Sequence, residues 1–160
     1  MLLLVFDYTG FPADIVHSTD QPDVRYTINP DFFALPETAR SSAKPVNEFD
    51  GYRLYRSEDV QRAPAEALPV YQTAPGGSMM IPTGAVFIRF AERDDVKSRT
   101  QDIAAAGYRV TEVLPYAPNA AWVQPDSGSS RDALRLLEKL ASLPGMENVA
   151  PQFVTERRRR

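Results

Sequence analysis

Apolar and polar residues alternate along residues 84–90 (GAVFIRF), as they do in half-buried β-strands. Side chains two positions apart in a strand point to the same face of a sheet, so this strand has one apolar face and one mixed face. The apolar face would carry Val86, Ile88 and Phe90. The mixed face would carry Ala85, Phe87 and Arg89. Similar stretches predict further strands at 108–114, 120–124 and 146–155.

Two stretches between these strands are typical of helices. Residues 92–107 begin with acidic side chains, which the helix dipole favours at an N-terminus, and Gly107 suits the position just after a helix. A second helix is predicted to begin after Ser129 or Ser130, either of which can cap it, and to end before Pro144. Its apolar residues recur at the spacing of one helix face: Ala133, Leu136, Leu137, Leu140 and Leu143.

The resulting element order is β-α-β-β-α-β. We therefore predict an α+β fold in residues 80–156, a ferredoxin-like four-stranded antiparallel sheet with both helices on one face. The other face would be open, or covered by residues 1–83 if these fold back over it. Depending on register, this face presents Phe87, Arg89 and Trp122. A partly apolar open sheet face is a candidate docking surface.

The N-terminal half is predicted to be less regular. Nine of the fourteen prolines lie in residues 1–83, and this density breaks long helices. Short strands are expected at 2–6, 24–28 and 52–56. The sequence thus predicts a Pro-rich extension over residues 1–79, a compact domain over 80–156 and a cationic tail over 157–160.

Charge narrows the class of partner. The net charge of the chain is −3, from eighteen basic and twenty-one acidic residues. Four of the basic residues are the arginines at 157–160. The rest of the chain therefore has fourteen basic and twenty-one acidic residues, a net charge of −7. An acidic body argues against a nucleic-acid partner. The apolar N-terminal run is too short for a signal peptide or a membrane span, which predicts a cytoplasmic chain with no membrane partner, or a secreted or periplasmic one if a leader was removed.

Residues for catalysis are scarce. His17 is the only histidine, so a Ser-His-Asp triad would depend on a residue in a polar, turn-rich segment, and there is no cysteine. A metal site lacks His or Cys ligands, and no glycine-rich phosphate loop is present. We expect a chain with no catalytic site, no metal and no cofactor.

Three stretches of the second half together resemble the propeptide, or inhibitor, domain of subtilisin-like serine proteases. They are IPTGAVFIRFAE at 81–92, AAAGYRVTEVLPYAPNAAWV at 104–123 and ALRLLEKLASLPGMENVAPQFV at 133–154. The family pattern closes with a Leu-rich helix, then LPGVE-x-V-x-P and an aromatic residue. Here Met146 replaces the usual Val, and Ala150 replaces a frequent acidic residue.

This resemblance implies a function. Such a domain templates the folding of the protease and inhibits it, with its open sheet face on the catalytic domain and its C-terminal segment in the active-site cleft. The partner would be a subtilisin-like protease, in cis or in trans. The implied protease-binding residues are Phe87, Arg89, Trp122, Phe153, Val154, Thr155, Glu156, Arg157, Arg158, Arg159 and Arg160. If the arginines fill substrate subsites, the protease must offer carboxylates there; otherwise they form a solvated tail.

Two other functions stay open from the residues alone. A ferredoxin-like regulatory domain would bind a small ligand at a sheet edge, although no Gly-rich loop or Asp/Asn cluster marks one. An RNA-binding sheet could stack bases on Phe87 and Trp122, but the acidic body opposes it.

Overall fold

The computed structural model describes residues 6–74 and 76–156. The strands of this part of the chain are β1 (Asp14–Ser18), β2 (Gln21–Pro36), β3 (Asn47–Phe49), β4 (Tyr52–Arg56), β5 (Leu68–Gln72), β6 (Met79–Phe90), β7 (Tyr108–Leu114), β8 (Ala117–Pro125) and β9 (Met146–Thr155). Its α-helices are α1 (Thr100–Ala105), α2 (Ser130–Arg135) and α3 (Leu137–Ala141). Two 3₁₀ turns lie at Ser57–Asp59 and Val96–Arg99.

The chain divides into two compact units, each built from separate stretches of sequence. Among the described residues, unit 1 takes 6–9, 26–82 without 75, and 153–156. Unit 2 takes 10–25 and 83–152. The strands β2, β6 and β9 therefore each have residues in both units.

Unit 1 consists of strands in the order β3, β4, β2, β5 and β6. The neighbouring strands run antiparallel, with Phe33 opposite Tyr55 on one side and opposite Pro69 on the other. Strand β5 also pairs with β6, and Tyr71 of β5 lies opposite Met80 of β6. The register between β2 and β5 shifts between Ile28 and Phe33.

Both faces of β2 are buried in unit 1. Phe33, Ala34 and Leu35 are consecutive and at most 1% exposed, although their side chains alternate between the two faces. One face packs in a cluster with Phe49, Leu54, Val70 and Ile81 around Ala34. The other packs Phe33 and Leu35 with Tyr55 and Ala67. A strand that is buried on both faces does not alternate apolar and polar residues along its sequence. Residues 32–35 (FFAL) are accordingly a continuous apolar run.

In unit 2 the strand order is β9, β6, β8 and β7, and β1 pairs with β2. The antiparallel register of β6 and β8 places Val86 opposite Val123 and Ile88 opposite Ala121. These side chains form the core with residues of α1, α2, α3 and β9, all of them nearly inaccessible to solvent. The central members are Val86, Ile88, Phe90, Ile103, Tyr108, Val123, Ala133, Leu140 and Val149.

The turn between β1 and β2 is joined to β9 within unit 2. The backbone N–H of Thr19 donates to the carbonyl oxygen of Val149 at 3.1 Å, and the N–H of Val149 donates to the Thr19 hydroxyl at 3.0 Å. The Thr19 hydroxyl also lies 3.4 Å from Oδ1 of Asn148, which is 7% exposed. The N-terminal hairpin thus satisfies backbone groups of a strand about 130 positions later in the sequence.

The predicted fold class, a ferredoxin-like α+β domain behind a Pro-rich extension, is wrong. The described residues form mostly antiparallel sheet, with 48% in strands and 16% in helices, the 3₁₀ turns included. Residues 14–72 contribute β1 to β5, so the N-terminal half is a major source of strands and of buried side chains. Pro22, Pro30 and Pro36 lie within β2 and Pro69 lies within β5, because only a ladder position that needs an N–H excludes proline.

The helices are much shorter than the sequence predicts. Asp95 has an extended backbone (φ −120°, ψ 126°), and its carboxylate accepts from the N–H of Lys97, so a 3₁₀ turn and the six-residue α1 replace a helix over 92–107. The Leu-rich helix is interrupted at Leu136 (φ −97°, ψ 5°), between α2 and α3. Ser129 is its N-cap and accepts from the N–H of Asp132.

Two further expectations concern the start of the chain. The strand predicted over 2–6 lies outside the described residues except for Phe6, which belongs to no strand. No helix among the described residues is long and apolar enough to span a bilayer.

Candidate functional site

An aromatic pair occupies the face of the unit 2 sheet opposite the core. Phe87 of β6 and Trp122 of β8 are direct cross-strand partners, and their ring centroids are 5.5 Å apart at an interplanar angle of 67°. Their neighbours Val86, Ile88 and Val123 point into the core, so strand alternation sends both rings to the other face. Both aromatic residues are only half-buried, and edge-to-face contact between them stabilises the pair.

Arg89 lies on the same face and is held by two carboxylates. Its guanidinium is 3.7 Å from a carboxylate oxygen of Asp20 and 3.8 Å from one of Glu147. The Arg89 side chain is 40% exposed, so these ion pairs orient the guanidinium more than they stabilise the fold. Asp20 comes from the turn between β1 and β2, and Glu147 comes from β9.

The rim of this face is polar. Glu112 of β7 is the cross-strand partner of Trp122, and Arg109 is the partner of Gln124. A register irregularity lies between Val110 and Glu112, where the Thr111 hydroxyl donates to the Trp122 carbonyl oxygen at 3.1 Å. The face therefore has a small apolar centre with charged groups around it, an arrangement typical of docking surfaces.

The structure brings together three of the predicted protease-binding residues: Phe87, Arg89 and Trp122 share one face of unit 2. The sequence analysis missed Asp20 and Glu147 as the partners of Arg89. The alternating pattern of β9, the strand that pairs with β6, indicates which face Glu147 occupies. No local pattern signals that the N-terminal hairpin reaches Arg89, since that contact joins distant parts of the chain.

The other described candidates belong to unit 1. The Phe153 ring makes edge contacts with Tyr26 and Tyr71, at centroid distances of 5.4 and 5.6 Å. Val154 packs against the cluster around Ala34, and Thr155 is exposed. The Glu156 carboxylate accepts a hydrogen bond from the side-chain amide of Asn47.

The described members of the predicted set are thus divided between the two units. Phe87, Arg89 and Trp122 are in unit 2, whereas 153–156 are in unit 1. Arg157, Arg158, Arg159 and Arg160 lie outside the described residues.

Groups with shifted pKa values lie in the cores and at a helix start, away from this face. Burial raises the pKa of Tyr71 and of Tyr108 well above the ordinary value. Hydrogen bonds from Ser127 and Arg135 lower the pKa of the Asp132 carboxyl at the start of α2. His17 is an exposed residue of β1. In the part of the chain that the structure describes, no three His, Cys, Asp or Glu side chains are grouped so that they could hold a metal ion.

Comparison with known proteins gives no family for the chain. No family model matches it, no curated protein matches it, and no solved structure matches it.

Proposed function

We propose that this chain is a binding module that acts as a propeptide-like chaperone and inhibitor of a subtilisin-like serine protease. The sheet face with Phe87, Arg89 and Trp122 docks on the catalytic domain, and the C-terminal segment enters the active-site cleft. The resemblance of 81–92, 104–123 and 133–154 to the propeptide domains motivates this proposal.

The observation that carries the proposal is the Phe87–Trp122 pair on the face opposite the core. Aromatic residues and arginine are enriched at the energetic centres of protein interfaces, because they remove much apolar surface from water at a small entropic cost. Here an aromatic pair and an arginine occupy one face, and the carboxylates of Asp20 and Glu147 lie within 4 Å of the Arg89 guanidinium and favour one side for it. Pre-ordering of this kind lowers the entropic cost of docking.

The first test uses Trp122, the only tryptophan of the sequence, as the reporter. The chain is labelled with fluorotryptophan and titrated with a subtilisin-like catalytic domain whose active serine is replaced by alanine. Docking through the proposed face shifts the single fluorine resonance, because the indole leaves water for a protein surface. A complex that forms without any shift of this resonance contradicts the proposed face.

Variants then measure what the face contributes. Phe87→Ala and Trp122→Ala are each expected to weaken binding at least tenfold, about 1.4 kcal/mol or more. The matched control is Tyr116→Ala, which removes an 82% exposed aromatic residue of the same unit. Urea unfolding of each variant shows that the loss is not a loss of fold. Absence of binding to several subtilisin-like proteases would contradict the proposed function.

A further inference from the structure

A cleft lies between β1 and the helices α2 and α3 of unit 2. Its volume is about 300 Å³, and the residues that line it all belong to unit 2. Its apolar walls come from the hairpin, the helices and β9, and they include Ile15, Val16, Leu134, Leu137, Ala141 and Val149. One water molecule takes up about 30 Å³ of the liquid, so the cleft has room for roughly ten non-hydrogen atoms. This is the size of a pocket for a small molecule.

The helices have a second apolar stripe that is separate from their core side. Leu134, Leu137 and Ala141 follow one another at spacings of three and four residues, which places them on one side of the helical segment. Exposure rises along this stripe: Leu134 is 4% exposed, Leu137 is half-buried and Ala141 is exposed. The cleft therefore has a buried apolar interior and opens to solvent toward the end of α3.

The hairpin that forms the opposite wall is attached at two places. Across the hairpin, Nε of Arg25 donates to both carboxylate oxygens of Asp14, at 2.9 and 3.2 Å. At its turn, Thr19 is joined to Val149 by two hydrogen bonds. Both walls are thus held in place without a ligand. A pocket that exists before binding avoids the entropic cost of forming it.

The charges at the rim of the cleft leave one carboxylate unbalanced. The charged side chains that line it are Asp14, Arg25, Arg135 and Glu138. Asp14 and Arg25 neutralise each other, and Arg135 forms an ion pair with Asp132 at 2.9 Å. Within residues 6–74 and 76–156, no hydrogen bond or ion pair reaches the Glu138 carboxylate. The rim therefore favours a cationic group.

We infer that this cleft binds a small amphipathic amine. The apolar body of the ligand lies among Ile15, Leu134 and Leu137, and its ammonium group lies beside Glu138. Burial of the apolar body supplies most of the affinity. Because Glu138 is exposed, its ion pair with the ammonium adds little affinity and mainly selects the sign of the charge. The inference goes beyond the proposed function, since the cleft uses none of the three residues of the proposed docking face.

The experiment compares three compounds of nearly the same shape: phenethylamine, which is a cation, phenylethanol, which is neutral, and phenylacetate, which is an anion. Each is titrated into the full chain, labelled at the methyl groups of isoleucine, leucine and valine. Methyl shifts give the dissociation constants, and nuclear Overhauser effects from the phenyl ring identify the methyl groups in contact with it.

Phenethylamine is expected to bind with a dissociation constant of about 1 mM or lower. Its ring should show contacts with the methyl groups of Ile15, Val16 and Leu137. Phenylethanol should bind roughly two- to fivefold more weakly, which is the range of an exposed ion pair, and phenylacetate more weakly still. Absence of phenethylamine binding, or contacts with methyl groups outside the cleft only, overturns the site. This location does not depend on any variant.

Two variants test the shape of the cleft and its charge. Ala141→Phe fills the cleft from its rim and should weaken phenethylamine binding roughly tenfold or more, whereas Ala104→Phe, at an exposed position of α1, should leave it unchanged. Glu138→Gln should make phenethylamine and phenylethanol bind equally, whereas Glu92→Gln, at another exposed carboxylate of unit 2, should keep their difference. Urea unfolding checks that each variant is folded.

The remaining outcomes contradict the inference. Full binding of phenethylamine by a folded Ala141→Phe variant would place the ligand elsewhere. Equal affinities of the parent chain for all three compounds, or a preference for the amine that survives Glu138→Gln, would show that Glu138 does not select a cation. All these measurements use the chain alone, so they stand or fail independently of protease binding.

Discussion

The hydroxyl of Tyr108 donates a hydrogen bond to the backbone carbonyl oxygen of Ala133, across 2.6 Å in the core of unit 2. This bond joins the first residue of β7 to α2, and Tyr108 is 1% exposed. Burial is the main reason that the pKa of Tyr108 is raised; the nearby Asp132 carboxylate raises it further, and Arg135 partly opposes this. The protonated phenol is therefore part of the folded structure.

Alkaline pH is expected to destabilise the protein. The unfolded chain releases a tyrosine proton near pH 10, whereas the folded state holds it to a higher pH. The stability associated with this shift is complete below pH 10 and decreases as the pH rises above it. Tyr71, whose pKa burial also raises, adds to the same decrease. Urea unfolding between pH 7 and 11 measures it.

Tyr108→Phe separates the hydrogen bond from the titration. At neutral pH it is expected to cost about 1–2 kcal/mol, because the Ala133 carbonyl loses its partner inside the core. Above pH 10 the variant should lose less additional stability than the parent, since one titrating group is gone. Equal alkaline losses in parent and variant would contradict the role assigned to Tyr108.

The side chain of Arg99 is expected to contribute to the free energy of unfolding of the protein. Its Nε lies 2.9 Å from the Asp102 carboxylate, its guanidinium lies 4.6 Å from the Phe90 ring centroid, and it donates to the Pro144 carbonyl oxygen. The side chain is only 15% exposed, so solvent screens these contacts weakly. Arg99→Ala should cost roughly 2–3 kcal/mol in urea unfolding. Arg93→Ala, at an exposed position of the same loop, serves as the control and should cost less than about 0.5 kcal/mol.

Two glycines with similar backbones should respond differently to alanine. Gly145 has φ +78°, and a Cβ there would lie 2.5 Å from a carboxylate oxygen of Asp94. Gly51 has φ +83°, and a Cβ there would meet no atom within 4 Å. Gly51→Ala should cost only the left-handed backbone, about 1–2 kcal/mol. Gly145→Ala should cost more, because Asp94 must also move away from Arg99. Equal losses in thermal unfolding would show that the crowding at Gly145 is relieved at no cost.

Truncation to alanine should destabilise the protein to different extents at Leu140 and at Leu137, although both belong to the apolar helix face that the sequence predicts. Leu140 is fully buried, and Leu140→Ala should cost roughly 2–5 kcal/mol because it leaves a cavity. Leu137 is half-buried and borders a surface cleft, so its truncation to alanine should cost less. Denaturant midpoints of the two variants give the comparison, and a larger loss at Leu137 would contradict the packing.

The strands of the second half could be predicted because one buried face repeats every second residue. The stretches 84–90, 108–114, 120–124 and 146–155 all lie within strands of the structure. The fold class could not be predicted, since it depends on which strands pair. The strand predicted at 24–28 lies within β2, but around Phe33 and Ala34 both faces of β2 are buried and the alternation is absent.

The candidate site could also be predicted only where it depends on local sequence features. Alternation in β6 is a local feature and places Phe87 and Arg89 on one face. The pairing of β6 with β8, which the sequence left dependent on register, adds Trp122 to that face. The anchoring of Phe153 by Tyr26 and Tyr71 is not local, because the three rings come from distant parts of the sequence. The sequence predicts the strand over 146–155, but not the rings against which its Phe153 packs.

The two hydrogen bonds between Thr19 and Val149 constrain when this protein can fold during synthesis. Residue 19 leaves the ribosome long before residue 149 is made, and the N-terminal hairpin has no β9 to join in the interval. Contacts between such distant positions close slowly, because the intervening chain must first be ordered. Until then the edges of early strands lack their partners in β9, and unpaired strand edges can pair with other chains.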